Sequence, residues 1–381
     1  MKKIIATCLL MVAFCTLLGA QGIWIGGTDG ENVYLKSTGN VSYTLQGEHL
    51  EDLSVSQGTV YSLVLTRKIE GPTNWGGYSV FKNDKTYNTY NYCKLATGII
   101  TSIAMDVVGG KVAVSGVIAK EFNDRGYEAR MFGDLNNNQQ FLTDWKRKSL
   151  KREYFRGFAE RNGSRLELPD TPDEDGTYNM SLPFAVKAVR YYDGHIFATG
   201  WGEREYTISW GHTYYLVRRA PRAWMDGVEK VQQYENRTGA AYSLTMTKNS
   251  SGEYIYHTSG HMRGDACAWV NTTDKFSSSL DPVTAEAIIQ PNTDFEKSIM
   301  VIDKKLYICK FNQKSATILP GVPSQLEYYD VKECSNNVYA LGKDRSSGEL
   351  VVIKITKDLD ASELYRTRLQ AKGDYKIGVG Y

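Results

Sequence analysis

Three tryptophans and a set of charged side chains fall in loops that share one position in a repeating pattern. Trp75, Trp201 and Trp210 each stand beside a glycine, and near them lie Asp124, Arg125, Glu203, Arg204, His212, Arg263 and Asp265. Indole rings stack on the apolar faces of sugars and peptides, while guanidinium and carboxylate groups hold hydroxyls and charged ends. The competing reading is that the tryptophans cap the edges of a sheet and the charges pair with one another in solvent. A carboxylate pair such as a glycosidase uses would have to come from Glu203, Asp124 and Asp265, and nothing in their spacing singles out two of them. No catalytic set emerges, so the residues read as a binding face rather than a reaction centre.

Metal and cofactor chemistry find little support in the residue pattern. His257 and His261 are four apart, but the segment reads as a strand and lacks the glutamate of a zinc-protease helix. The stretch from Asp134 begins like an EF-hand loop, yet has Gln139 where glycine is required and Trp145 in place of the bidentate glutamate. The acidic turn "DTPDEDG" at 170–176 reads as a weak calcium site or a solvated turn. No nucleophile elbow, P-loop or dinucleotide fingerprint occurs, and neither metal nor cofactor is expected.

The elements that would position these loops recur along the chain. Strands ending in glycine or a polar turn are "GIWIGG" (22–27), "GTVYSLV" (58–64), "GKVAVSG" (110–116), "GHIFATG" (194–200), "EYIYHTSG" (253–260), "KLYICKF" (305–311) and "NVYALG" (337–342). Most follow another strand and a turn rich in Gly, Asn or Asp, which is a hairpin signal. An aromatic strand turning at Asn or Asp follows several: "YSVFKND", "ARMFGD", "AWMDG" and "AWVNTTD". Four antiparallel strands repeating every ~50 residues give an all-β propeller, because small sheets stacked radially cover one another's faces. Seven blades are expected, with six as the alternative because the interval from 306 to 338 is short. The C-terminal "GDYKIGVGY" should complete the first blade, whose own first strand is missing. Helix is expected only around Thr143–Arg161 and Thr284–Ile289.

The loops after the second strands then share one face: 28–32, 68–77, 120–126, 201–213, 261–265, 312–315 and 343–348. The interval from 112 to 196 exceeds one blade, and a charged insertion at about 145–176 accounts for the excess. It is basic from Lys146 to Arg165 and acidic thereafter, which reads either as a docking arm or as an internally neutralised surface loop.

Lys2 and Lys3 precede an apolar run ending at Gly19-Ala20, the layout of a signal peptide, so residues 1–20 are expected to be removed and 21–381 to form one domain. Phe14 before Cys15 does not fit a lipid-anchored cysteine. The full chain holds 45 Lys+Arg and 43 Asp+Glu, and loss of the two leader lysines leaves the mature protein neutral. That balance argues against a nucleic-acid binder, and no later stretch suits a membrane span. Of the cysteines, Cys93, Cys267, Cys309 and Cys334 remain. Three pairings are open to them, and consecutive repeats point to Cys309 with Cys334.

The aromatic strand with its Asn/Asp-Gly turn, followed by a hydrophobic-Tyr-x-x-Gly strand, resembles the repeats of exported bacterial β-propeller proteins that mostly lack assigned functions. Trp-Asp repeats, Tyr-Trp-Thr-Asp and the sialidase Asp box are absent, so activities tied to those families are not implied. The leader and the loop residues together lead to the expectation of a periplasmic, outer-membrane-associated or extracellular module that binds a glycan or a cell-envelope protein. A carbohydrate-active enzyme and an assembly scaffold are the alternatives.

Overall fold

A computed structural model describes residues 22–69, 75–90, 99–119, 140–142, 155–161, 164–168, 184–209, 213–226, 228–230, 239–249, 251–271, 273–289, 297–310 and 315–380. The leader, Cys93 and the acidic turn at 170–176 lie outside them. Every described element is a strand. The first group is β1 (Gly22–Thr28), β2 (Asn32–Ser37) and β3 (Ser42–Gln46). Next come β4 (His49–Ser56), β5 (Thr59–Ile69), β6 (Trp75–Lys82) and β7 (Lys85–Tyr90). They are followed by β8 (Ile99–Val108), β9 (Lys111–Ala119), β10 (Gln140–Leu142), β11 (Phe155–Arg161) and β12 (Ser164–Leu168). Then come β13 (Phe184–Tyr192), β14 (His195–Ser209), β15 (Thr213–Met225), β16 (Val228–Lys230), β17 (Gly239–Lys248), β18 (Tyr254–Met262), β19 (Asp265–Val270) and β20 (Thr273–Ser277). The chain closes with β21 (Val283–Ile289), β22 (Lys297–Ile302), β23 (Lys305–Lys310), β24 (Ser315–Ile318), β25 (Leu326–Cys334), β26 (Asn337–Asp344), β27 (Leu350–Ile355), β28 (Ala361–Thr367) and β29 (Gly373–Gly380).

These strands form small antiparallel sheets in a propeller arrangement. Strands β4–β7, β17–β20, β21–β24 and β25–β28 each make a sheet in chain order. Two more have the orders β8-β9-β11-β12 and β13-β14-β15-β10, with β16 also on β15. The last joins both ends of the described chain in the order β29-β1-β2-β3, with Ile25 opposite Ile377.

Strand alternation explains why these sheets stack. On β1, Ile23 and Ile25 pack with Tyr339, Leu341, Leu350 and Val352 of the sheet on one side. Trp24, between them, packs with Leu53, Val55 and Val60 of the sheet on the other. Both faces are buried, so the strand reads as a continuous apolar run rather than an alternating one. Further clusters join the β4–β7 sheet to β8 and β9, β14 and β15 to β17 and β18, β19 to β21–β23, and the β21–β24 sheet to β25–β27.

The first strands share a feature that explains the terminal glycine of the repeat. Each carries a β-bulge near its start, placing an extra residue between Leu50 and Asp52, Ile100 and Ser102, Val186 and Ala188, Ala241 and Ser243, Val283 and Ala285, and Tyr328 and Asp330. The bulge pushes the inner strand's backbone toward its partner. Consequently a Cβ at Gly200 or Gly260 would strike the carbonyl oxygen of Ala185 or Ala240. The Asp193-Gly194 turn before the first of these strands has φ of 49° and 92°, as a type I′ hairpin requires.

Several expectations are corrected. Thr284–Ile289 is the inner strand β21, not a helix: Val283, Ala285, Glu286, Ala287 and Ile288 are all buried, so the segment is enclosed on both faces. Residues 155–161, assigned to a helix, form β11, which pairs with β9. Strands β11 and β12 also fall inside the charged stretch 145–176, so that part of it belongs to a sheet rather than to an arm. "ARMFGD" and residues 143–154 lie outside the described residues. The segment "KLYICKF" is a third strand, because β21 and β22 precede it in the sheet. Anchoring that repeat on its third strand shortened the next interval artificially, and residues 312–314 of the loop assigned after it lie outside the described residues. Cys309 and Cys334 are free thiols, as is Cys267. Cys309 packs toward Ala266 and Ala268, whereas Cys334 packs beside Ile23 and Ile377, on opposite sides of two neighbouring sheets.

Replacing Gly260 with alanine should lower stability by about 1–3 kcal/mol, the usual cost of forcing an atom into a filled core. Urea denaturation measures it, and an unchanged midpoint would refute the bulge as the reason for the glycine.

Candidate functional site

The first strands of all the sheets line a central cavity of about 430 Å³. Its walls include Glu51 and Asp52 from β4, Lys187 and Arg190 from β13, Tyr242 and Ser243 from β17, Thr284 and Glu286 from β21, Asp330 and Lys332 from β25, and Lys376 from β29. A second cavity of about 420 Å³ continues past Arg190 and Lys332 to Asp106 and Glu333. Charged residues inside otherwise apolar strands therefore face the axis of the molecule.

An innermost strand has one edge without a β partner, and its amides need acceptors. Carboxylates supply several. Asp106 accepts from the Tyr191 amide at 2.7 Å, Glu333 from the Ile288 amide at 3.2 Å and Asp330 from the Ile377 amide at 3.0 Å, each bond joining adjacent sheets. Arg190 donates to Asp106 at 3.2 Å and to the Leu244 carbonyl at 3.0 Å, spanning three sheets. Lys332 reaches Asp52 at 3.2 Å. Between β18 and β21, buried His257 lies 3.1 Å from Glu286, which also accepts from Ser243 at 2.9 Å.

Titration follows these contacts. Burial opposes ionisation of Glu286, but the His257 ring and its hydrogen bonds outweigh it and hold the carboxyl below its ordinary value. Burial raises Glu333, with Arg190 offsetting part of the effect. Burial likewise raises Glu51, against the opposing influence of Lys376 and Lys187. Glu51 and Lys376 differ from the other lining charges. Among the described residues neither makes a hydrogen bond or a close ion pair, although both are half-buried at the bulged end.

That end is also where the second strands finish, so it shares a face with the connections that follow them. Trp201 sits within β14 opposite Ala185. Glu203 and Arg204 follow on the same strand, opposite Arg219 and Arg218. The stretch 201–209 is thus strand rather than loop: β14 and β15 run on together beyond the neighbouring strand, and β10 pairs along β15 there. Trp75 begins β6 opposite Ile69. Arg263 and Asp265 are exposed at the turn joining β18 to β19, where Arg263 takes φ of 57°. Asp124, Arg125, Trp210 and His212 lie outside the described residues. The described candidates are spread over three sheets. His261 stacks on Tyr242 with ring centroids 5.6 Å apart, and Tyr242 is a bulge residue lining the cavity.

The axial charges were missed in the sequence, although each leaves a signal. "LEDLSV", "AMDVV", "VKAVRYY", "TAEAII" and "YYDVKEC" all place an acid or base inside a strand that should be buried on both faces.

No protein-family model matches this chain, and no curated protein does. Among solved structures, a chain in the crystal structure of a mitotic checkpoint complex is similar at 9% identity, covering 87% of this chain and 84% of that one with a TM-score of 0.44. A chain in the crystal structure of a nidogen/laminin complex is similar at 8% identity, covering 94% and 98% with a TM-score of 0.41. The architecture described above resembles that of β-propeller proteins. No helix among the described residues is long and apolar enough to cross a membrane.

The raised pKa of Glu51 fixes the sign of a stability test. Its folded-state carboxyl favours the proton more than the unfolded one does, so its contribution is present below the ordinary value of about 4.3 and is lost as pH rises through the folded pKa. Glu51→Gln should therefore be more stable than the parent at neutral pH, with the gain vanishing toward pH 4. Urea midpoints across pH measure this, and a pH-independent difference would contradict it.

Proposed function

We propose that this protein is an exported, non-catalytic binding module whose sheets are seven blades of one closed ring, and that it takes a glycan or a cell-envelope protein on the face where the bulges lie. The observation that carries the binding reading is the polar cavity at that end, where Glu51 and Lys376 are half-buried without a hydrogen bond. Charge held in partial burial without a partner is costly, and a ligand that supplies the partner recovers that cost. The cavity volume lies within the range typical of ligand sites. The extended β14–β15 hairpin, with Trp201 at its base, adds a wall beside the opening. Support for the closed ring comes from β29, which pairs with β1 while the resulting sheet packs on both β4–β5 and β26–β27. The proposed export rests on the leader-like residues 1–20.

Residues 21–381 incubated with a panel of polysaccharides, scored for retention and product release in the same tubes, test the reading. Retention without products is expected, and products would overturn it in favour of an enzyme. Trp201→Ala should weaken retention at least about tenfold, a loss of about 1.4 kcal/mol, while circular dichroism stays unchanged. In a bacterial host the exported fraction should begin at Gln21 by mass spectrometry, and an intact leader on cytoplasmic protein would refute export.

A further inference from the structure

Resting on the binding reading, we propose that the bulged end of the central cavity receives a zwitterionic group, an ammonium and a carboxylate on one carbon as in an α-amino acid, with Glu51 taking the ammonium and Lys376 the carboxylate. The two side chains come from neighbouring inner strands, Glu51 as the extra residue of β4 and Lys376 on β29 opposite Gly26, next to the register shift of that sheet. Both line the cavity. Two residues nearer the opening, the same strands carry His49 and Asp374, and that pair closes on itself at 2.7 Å. The inner pair does not. Glu51 and Lys376 feel each other's charge, yet no hydrogen bond or close ion pair joins them to one another or to any other described residue.

The other charges on the wall are engaged. Asp52 pairs with Lys332 and Arg190 with Asp106, Glu286 lies against His257, Asp330 accepts from the Ile377 amide, and Lys187 has an interaction of its own within the protein. What remains is one anion and one cation, so the opening is balanced in charge and suits a ligand that is itself dipolar. A lone ammonium would leave Lys376 half-buried without a partner, and a lone carboxylate would do the same to Glu51. Neutral hydroxyls could reach both groups, but a bond between an ion and a hydroxyl is weaker than one between two ions. A zwitterion supplies an ion at each end and adds no net charge to a cavity whose remaining groups are already paired.

Calorimetric titration of residues 21–381 with glycine, methylammonium, acetate and methyl glucoside tests the subsite. Glycine should bind at least about tenfold tighter than each of the other three, because it alone gains both charge-assisted bonds. Lys376→Met should remove the advantage of glycine over methylammonium, and Glu51→Gln its advantage over acetate; an advantage that survives either substitution overturns the proposal. Should one variant fail to fold by circular dichroism, the other reads its own half of the site. Methylammonium or acetate binding as tightly as glycine would make this a site for a single charge and overturn the zwitterion. Methyl glucoside matching glycine overturns it too and leaves the glycan reading standing. Silence toward all four probes also overturns it, and retention in the polysaccharide panel then decides separately whether the binding reading falls.

Discussion

The unpaired inner edge of each first strand is the constraint on which the rest of the molecule depends. Sheets arranged around an axis must turn one edge toward that axis, and backbone amides there cannot be left dry. The chain answers with side chains from adjoining sheets: Asp106 on the Tyr191 amide, Glu333 on the Ile288 amide and Asp330 on the Ile377 amide. Arg190 and Lys332 then neutralise carboxylates brought close by that arrangement. Such buried pairs add little net stability on average, because desolvation offsets attraction. Their geometry does, however, define how each sheet sits against the next, which apolar packing alone specifies loosely.

The same constraint produces the candidate site. Carboxylates and cations spent on the edges leave Glu51 and Lys376 at the bulged end without a hydrogen bond among the described residues. The polar opening is thus a remainder of the packing solution. The bulges link the two, since they disrupt the ladder at one level in the first strands and place an extra residue of each at the opening.

Much of the architecture was legible because hairpins leave local marks. Asp193-Gly194, the aromatic third strands and the glycine after "GHIFAT" all record backbone geometry in residue type. The exchange of second and third strands in the β21–β24 sheet was not legible, because "SIMVIDKKLYICKF" has the look of a first hairpin. Its true inner strand, "VTAEAII", mimics a helix with its alanines and glutamate, and only burial on both faces made it a strand. The site was half-legible. Counting strands identified the face, but the axial charges were passed over, since nothing local marks convergence from different sheets. Cys309 and Cys334 failed for the same reason: sequence order makes their sheets neighbours without saying which side of each sheet a thiol faces.

The pairing of β1 with β29 has a consequence for how the molecule comes into being. Residues 22–28 find their inner neighbour only in residues 373–380, among the longest separations the chain can span. During synthesis, the first strand waits with an open edge until nearly the last residue has emerged. Contacts of such separation form late and slowly, so intermediate sheets can assemble side by side while the molecule remains an incomplete arc. The arc exposes two unlike apolar faces, Ile23 with Ile25 at one end and Leu341 with Val352 at the other, and those faces fit each other. A chaperone that shields either of them, or slow dilution after denaturation, would decide whether an arc meets its own end or that of another chain.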